Sequence, residues 1–231
     1  MDPAKVQLLA AWAIPILFAI TIHEVAHGWV ARYFGDHTAA RLGRLSLNPL
    51  KHVDLVGTVL VPTLMWLFSG FLFGWAKPVP VVAANLRHPR QHMAVVAAAG
   101  PFVNLLMTLF WAAVLKLMLE SGAGGVGAVF IMLMAIGGII INIVLMVLNL
   151  LPIPPLDGSR VLNGFLPERY ARQVDRLEQY GLIIIVVLLV TGALGQLIGP
   201  FLEAAQSGVL RGFGLPDLNV LLARLLGFSG N

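Results

Sequence analysis

Hydrophobic and polar positions alternate along this chain in long blocks. Five apolar runs are separated by short polar joints; the runs cover residues 6–34, 55–75, 93–119, 126–151 and 180–202. An α-helix rises about 1.5 Å per residue and needs about 20 apolar residues to cross the hydrocarbon core of a bilayer. The pattern therefore predicts an all-α polytopic membrane protein, a bundle of about five to six transmembrane helices.

The composition supports a membrane protein. Of 231 residues, 58% are apolar and 11% are charged, whereas a soluble domain carries about 25% charged residues. Because no linker-like stretch separates the runs, we expect a single domain over residues 1–231. Its core is expected at about 6–165, a C-terminal membrane helix at about 180–202, and an amphipathic tail at about 216–228 that lies at the membrane interface.

The basic charge of the chain points to the membrane and not to nucleic acid. The formal net charge is +4, but the Lys and Arg residues stand singly in the joints that flank the apolar runs. This distribution is typical of the positive-inside bias of membrane proteins. The absence of cysteine excludes disulfides and thiolate metal sites. We therefore expect the lipid bilayer as a partner and no nucleic acid.

The sequence His23-Glu24-Val25-Ala26-His27 lies inside the first apolar run. Residues four apart on a helix share one face, so both imidazoles can reach one tetrahedral Zn²⁺. Glu24 can take a proton from water at the metal without being a ligand itself. A chance combination is the plain alternative. It is disfavoured because ionisable groups inside an apolar helix cost several kcal/mol unless they have partners.

A catalytic zinc site of this kind needs a third protein ligand and leaves the fourth position to water. The remaining histidines stand in polar joints and are expected to be solvated or interfacial; they are His37, His52, His88 and His92. Asp157, after the fourth apolar run, is the better candidate. Its alternative role is that of a helix N-cap, and spacing alone does not decide between the two.

Three motifs resemble, in this order, those of the site-2 protease family of intramembrane metalloproteases. They are HEVAHGW at 23–29, AAGPFVN at 98–104 and NLLPIPPLDG at 149–158. The chain is most similar to the short prokaryotic members that lack a PDZ domain. The resemblance implies an intramembrane zinc metalloendopeptidase that hydrolyses peptide bonds in or near transmembrane segments of membrane protein substrates, in regulated intramembrane proteolysis.

The same resemblance implies the roles of individual residues. His23, His27 and Asp157 bind one zinc ion per chain, Glu24 is the catalytic base, and Asn149 polarises the substrate carbonyl or holds the oxyanion. It also implies a prokaryotic inner membrane, with the active site nearer the cytoplasmic side. The sequence is compatible with a homo-oligomer.

Ligands from the first and fourth runs must meet at one depth in the membrane. His27 and Asp157 both lie at the C-terminal ends of their runs, so an even number of crossings must separate them. We therefore predict that residues 55–90 form a re-entrant or extended element that enters and returns on the same side. Residues 78–82, with two prolines, are expected to be extended, as an edge strand near the zinc with which an unwound substrate could pair.

Two other functions use the same residues. A metal or proton transporter would place ionisable groups along an ion pathway, and a membrane scaffold would need no chemistry at all. Neither explains why a glutamate stands beside the first histidine. The sequence therefore favours the protease.

Overall fold

The computed structural model describes residues 3–60 and 77–227, and within them the regular structure is helical, with no strand. The α-helices of these ranges are α1 Pro3–Tyr33, α2 Thr38–Arg41, α3 Pro89–Glu120, α4 Val126–Asn149, α5 Asp157–Phe165, α6 Glu168–Leu177, α7 Gly181–Val190, α8 Ala193–Phe213 and α9 Leu218–Leu225. Single short turns of other helix types lie at Pro49–His52, Leu55–Leu60, Ala83–Asn85 and Glu178–Tyr180. The predicted all-α class is confirmed.

Three of the described helices are long and apolar enough to cross a membrane: Val6–Tyr33 within α1, then α3 and α4. A fourth candidate is a bent pair, in which residues 168–190 and α8 meet at 83°. The described ranges thus give three spans, or four if the pair counts as one. The expected five to six is not confirmed, and most of the run at 55–75 lies outside the described residues.

The last apolar run differs from its predicted form. We expected one helix over about 180–202, but α7 ends at Val190 and α8 begins at Ala193. Gly192 between them has φ 74°, the left-handed conformation that a glycine adopts without steric strain. Thr191 closes the preceding turn by donating its hydroxyl to the Val187 carbonyl at 2.7 Å. An apolar run gives no sign of such a break.

The tail forms the short helix α9, within the expected 216–228, and residue 228 lies outside the described ranges. The Asp217 carboxylate caps its N-terminus by accepting the Asn219 N–H at 2.8 Å and the Val220 N–H at 3.2 Å. Leu218 and Leu221 are buried in the main hydrophobic cluster, and α9 contacts α4. The apolar face of α9 therefore packs on the protein. The prediction placed this helix at the membrane interface and did not include this contact.

Helix α4 is the centre of the bundle, in contact with α1, α3, α8 and α9. Two glycines in the middle of α4 contact aromatic rings, one from α1 and one from α3. A Cβ at Gly137 would lie 2.6 Å from Cδ1 of Trp12, and a Cβ at Gly138 would overlap Trp111. Small residues let helices approach closely in a membrane, where the hydrophobic effect does not drive them together. The glycines thus fix α1 and α3 against α4.

The two ends of the 55–90 element lie beside the loop that follows α1. The Lys77 N–H donates to the His52 carbonyl at 2.8 Å, and the Arg87 N–H donates to the Phe34 carbonyl at 3.1 Å. The element therefore returns to the side from which it leaves, as predicted. Residues 77–82 have no regular secondary structure, so the expected edge strand is wrong as a paired strand.

Asp36 ties this segment down. Its buried carboxylate accepts hydrogen bonds from the Val82 N–H at 2.7 Å, from the Asn85 side chain, and from the N–H and hydroxyl of Thr38. Burial alone would raise the pKa of Asp36, but these hydrogen bonds outweigh it and hold the pKa at about 2. The carboxylate stays ionised at neutral pH and fixes residues 82–85 next to the end of α1.

Single cysteines test this return, because the chain has no cysteine of its own. Leu47→Cys and Ala84→Cys, both at exposed positions, should be labelled by an impermeant thiol reagent from the same side of sealed vesicles. Ala123→Cys, between α3 and α4, should be labelled from the other side because α3 crosses once. Labelling of positions 47 and 84 from opposite sides would contradict the fold.

Candidate metal centre

His23 and His27 project from one face of α1, as their spacing predicts. Their Nε2 atoms lie 3.1 Å apart and their rings meet edge to face. Both side chains are buried, with 6% and 9% of the residue exposed. Two imidazoles therefore point at one place inside the bundle.

Asp157, the first residue of α5, reaches the same place from the other end of the core. Its Oδ2 lies 3.2 Å from Nε2 of His23 and 3.4 Å from Nε2 of His27. Gly158 packs directly on the main chain of Leu150 and Leu151, where a Cβ would overlap. The predicted alternative of an N-cap is not seen, because Leu156 occupies the cap position and no side chain caps the helix. Close backbone packing thus holds the carboxylate against the histidines.

The other ring nitrogens are hydrogen-bonded. Nδ1 of His27 lies 2.7 Å from the Val96 carbonyl, and Nδ1 of His23 lies 2.5 Å from Oδ1 of Asn104. A carbonyl oxygen can only accept, so Nδ1 of His27 carries the proton and its Nε2 carries the lone pair. With Oδ1 of Asn104 as acceptor, the same holds for His23. Both lone pairs face the Asp157 carboxylate.

These three atoms fit a zinc ion. Nitrogen and oxygen ligands lie about 2.0–2.1 Å from Zn²⁺ in a tetrahedral site, which places neighbouring ligand atoms about 3.3 Å apart; the three distances here are 3.1, 3.2 and 3.4 Å. Oδ2 of Asp157 is buried and has no hydrogen-bond donor among the described residues. Three acceptors without donors repel one another, and a cation between them removes that repulsion. Within the described ranges no other group of His, Asp and Glu is arranged to hold a metal.

Gly100 on α3 forms the floor of the site. A Cβ at this position would lie 2.5 Å from Cε1 of His23 and 2.6 Å from Cε1 of His27. Since hydrogen bonds hold both rings at Nδ1, neither can swing away freely. Only glycine lets α3 approach the two rings this closely.

Glu24 is bound to the extended segment beside the site. Its Oε2 accepts the Val79 N–H at 2.8 Å. Pro78 and Pro80 have no N–H, so Val79 carries the single main-chain donor of residues 78–80. A Cβ at Gly28 would lie 2.7 Å from Cγ1 of Val79, so this glycine, one turn after Glu24, gives Val79 the room to approach. The predicted nearness of residues 78–82 to the candidate centre is confirmed.

Asn149 lies at the end of α4, and its side-chain amide donates to the Leu145 carbonyl at 2.9 Å. No described contact joins it to the two histidines or Asp157, so its expected role stays a prediction.

His52 is buried, with 2% exposed, and its Nε2 donates to the Ser46 carbonyl at 2.8 Å. The expectation that His52 is solvated or interfacial is therefore wrong, and this ring holds the loop after α1 together.

Sequence reasoning missed two features of the site. It did not identify Gly100 as the floor, nor the bond from Val79 to Glu24. Gly100 lies in the AAGPFVN motif, and a glycine in a membrane helix indicates that another group packs closely against that helix. No sequence signal pairs Glu24 with a main-chain group 55 positions away.

Comparison with known proteins gives the family. Residues 118–192 match the model of peptidase family M50. The "Putative zinc metalloprotease YwhC" of Bacillus subtilis is 37% identical over 209 residues, which cover 90% of this chain and 92% of that protein. This chain belongs to peptidase family M50. The "Putative zinc metalloprotease Rip2" of Mycolicibacterium smegmatis is 31% identical over 191 residues, covering 83% of this chain and 69% of that protein. No solved structure matches significantly.

Family membership confirms the expected site-2 protease family and the expected class of enzyme. The apolar helices and the family together make the chain an integral membrane protein. A peptidase family also favours the protease over the transporter and the scaffold.

Gly100→Ala tests the floor of the site. The added methyl group should displace both imidazoles and weaken zinc binding by at least tenfold, measured by chelator competition on purified protein. Gly199→Ala is the matched control, because a Cβ at that helical glycine meets nothing within 4 Å. Equal zinc affinity in the two variants would contradict the geometry described for Gly100.

Proposed function

We propose that this M50 peptidase is an intramembrane zinc metalloendopeptidase. It would hydrolyse peptide bonds in or near the transmembrane segments of membrane proteins, as a step of regulated intramembrane proteolysis. The observation that carries the proposal is the triangle of buried acceptor atoms, with sides of 3.1–3.4 Å, between apolar helices. The names of the relatives as zinc metalloproteases support zinc as the ion.

The metal ligands in this proposal are His23, His27 and Asp157, with one zinc per chain. When bound there, zinc supplies Lewis acidity, which polarises the scissile carbonyl and makes water a better nucleophile at neutral pH. The chain itself supplies the acceptors at Nδ1 of both imidazoles, and these select the tautomer whose Nε2 lone pairs are directed at the site. The two hydrogen bonds also fix the rotation of the rings.

Glu24 is the proposed general base. It follows His23 directly, and the Val79 N–H holds its carboxylate on the side of the extended segment. A carboxylate so placed can take the proton of the attacking water and pass it to the leaving amine nitrogen. The same hydrogen bond means that Glu24 is oriented before any substrate arrives.

Asn149 is the proposed donor to the oxygen on which negative charge develops. It ends the helix that leads into the turn before Asp157. In the structure its amide donates to a carbonyl of its own helix, so the side chain must rotate to reach a substrate. Such hydrogen bonds are often made only in the complex with substrate.

Residues 77–82 are the proposed place where substrate is engaged. A helical substrate hides its carbonyl groups in hydrogen bonds and must unwind before attack. The bonds to Glu24 and Asp36 hold this segment open beside the candidate centre. Among the described residues, the Val79 and Val81 carbonyls have no partner and can accept hydrogen bonds from an unwound chain.

The proposed location is a prokaryotic inner membrane, with the site nearer the cytoplasm. Basic side chains gather in the loops at the end of α1 and the start of α3, on the side of His27; they are Arg41, Arg44, Lys51, Lys77, Arg87 and Arg90. This is the side that the positive-inside bias assigns to the cytoplasm. The accessibility of cysteines at 47 and 84 in intact cells tests the assignment.

A homo-oligomer remains a prediction, which the mass of the purified protein in detergent tests.

Glu24→Gln tests the catalytic role. Purified protein is incubated with a panel of single-span membrane peptides, with and without a chelator. Because glutamine cannot take a proton but has a similar shape, cleavage should fall by about 10²–10⁴-fold while zinc stays bound. In the same assay, Asn149→Ala should lower kcat and leave zinc affinity unchanged.

The control for Glu24→Gln is His23→Ala, which should lose both zinc and cleavage. Cleavage that resists the chelator in the wild type would contradict a zinc enzyme. Full activity of Glu24→Gln would remove the proposed base.

A further inference from the structure

Two asparagines lie in the interior of the bundle behind His23. Asn104 on α3 and Asn142 on α4 are both completely buried, at 0% exposure. A buried amide is costly unless its donors and its acceptor are all hydrogen-bonded. Here the two amides form a chain of hydrogen bonds that begins on the main chain of α4 and ends on a candidate metal ligand.

The direction of this chain is fixed at its far end. The side-chain N–H of Asn142 donates to the Gly138 carbonyl at 2.8 Å. Because a main-chain carbonyl can only accept, the amide nitrogen of Asn142 must face Gly138 and its oxygen must face Asn104. The amide nitrogen of Asn104 donates to that oxygen at 2.8 Å and to the Ala19 carbonyl at 3.4 Å.

The orientation of Asn104 then sets the state of His23. With its nitrogen turned to Asn142, Asn104 presents Oδ1 to Nδ1 of His23 at 2.5 Å. Nδ1 must therefore carry the proton, which leaves the lone pair on Nε2. A flipped Asn104 would present N–H groups to Nδ1, move the proton to Nε2 and close that nitrogen to a metal.

We propose that Asn104 and Asn142 are positioning residues that select the metal-binding tautomer of His23. The inference rests on the proposed zinc site. For His27 a single main-chain carbonyl, that of Val96, selects the tautomer. For His23 the partner is a side-chain amide that could lie either way round. Asn142 at 2.8 Å, helped by the longer bond to the Ala19 carbonyl at 3.4 Å, removes that ambiguity.

Hydrogen bonding between helices is the plainer account of two asparagines in a membrane bundle. It explains why α3 and α4 are joined at this depth. It does not explain why the chain continues to Nδ1 of a ring whose other nitrogen faces Asp157. The two accounts predict different results when the amide of Asn104 is replaced by a carboxylate.

The test measures zinc affinity of the full-length purified protein by chelator competition, a readout independent of proteolysis. Asn142→Leu should weaken zinc binding about tenfold or more, within the 10–100-fold range typical of residues that support a metal ligand. Asn104→Asp should keep zinc affinity, because either carboxylate oxygen accepts from His23 and orientation no longer matters. Combined with Asn104→Asp, Asn142→Leu should then cause less than a twofold loss.

If Asn142→Leu lowers zinc affinity equally in the wild-type protein and in the Asn104→Asp variant, Asn142 has a purely structural role and the inference is overturned. This comparison does not need Asn104→Leu, which would remove the acceptor at Nδ1 of His23 altogether. Thr108→Val is the matched control, because it removes a buried hydroxyl that donates to the Asn104 main chain at 2.9 Å without touching the amide. Its zinc affinity should equal that of the wild type.

The test separates this inference from the proposed function. If the wild type binds no zinc, or if His23→Ala leaves zinc affinity unchanged, the metal site fails and the inference falls with it. If the wild type binds zinc through His23 but Asn142→Leu has no effect, the site stands and the inference alone is overturned.

Discussion

The structure depends on holding three hydrogen-bond acceptors together inside an apolar bundle. In the tautomer that the acceptors at Nδ1 select, the lone pairs of His23, His27 and Asp157 converge within 3.4 Å of one another with no donor between them. In a medium of low dielectric constant such a group is strongly unfavourable unless a cation lies among them. The acceptors at Nδ1 of the two imidazoles and the close packing of Gly158 on Leu150 and Leu151 keep the three groups from moving apart. A site built in this way is prepared for its ion before the ion binds.

The rest of the fold supplies the parts that this arrangement needs. Gly100 lets α3 approach the two imidazole rings closely. Gly158 packs the start of α5 on the main chain of Leu150 and Leu151, the residues that follow α4. The return of residues 77–90 to the side of His27 brings a segment rich in proline beside the site. There its single donor at residues 78–80 is used to orient Glu24. His23, His27, Asp157 and Glu24 thus lie with the extended segment at one end of the bundle.

The sequence predicted those parts of the site that depend on spacing and on depth in the membrane. The four-residue spacing predicted that His23 and His27 share one face, and the family resemblance implied Asp157 as the third ligand. The need for all three at one depth then predicted the return of residues 55–90. Features set by contacts between distant segments could not be predicted. The bond from Val79 to Glu24, the burial of His52 and the break at Gly192 each depend on a neighbour or a backbone angle that no local pattern records. The direction of the hydrogen bonds of Asn104 and Asn142 likewise has no local sequence signal.

In the proposed metal centre, two imidazoles and one carboxylate of this chain hold a single zinc ion. X-ray absorption at the zinc edge of the active, detergent-purified protein tests it most directly. We predict one zinc per chain, with two imidazole nitrogens and at least one oxygen at about 2.0–2.1 Å. A shell without imidazole scattering, or an active protein that contains no metal, would contradict the account.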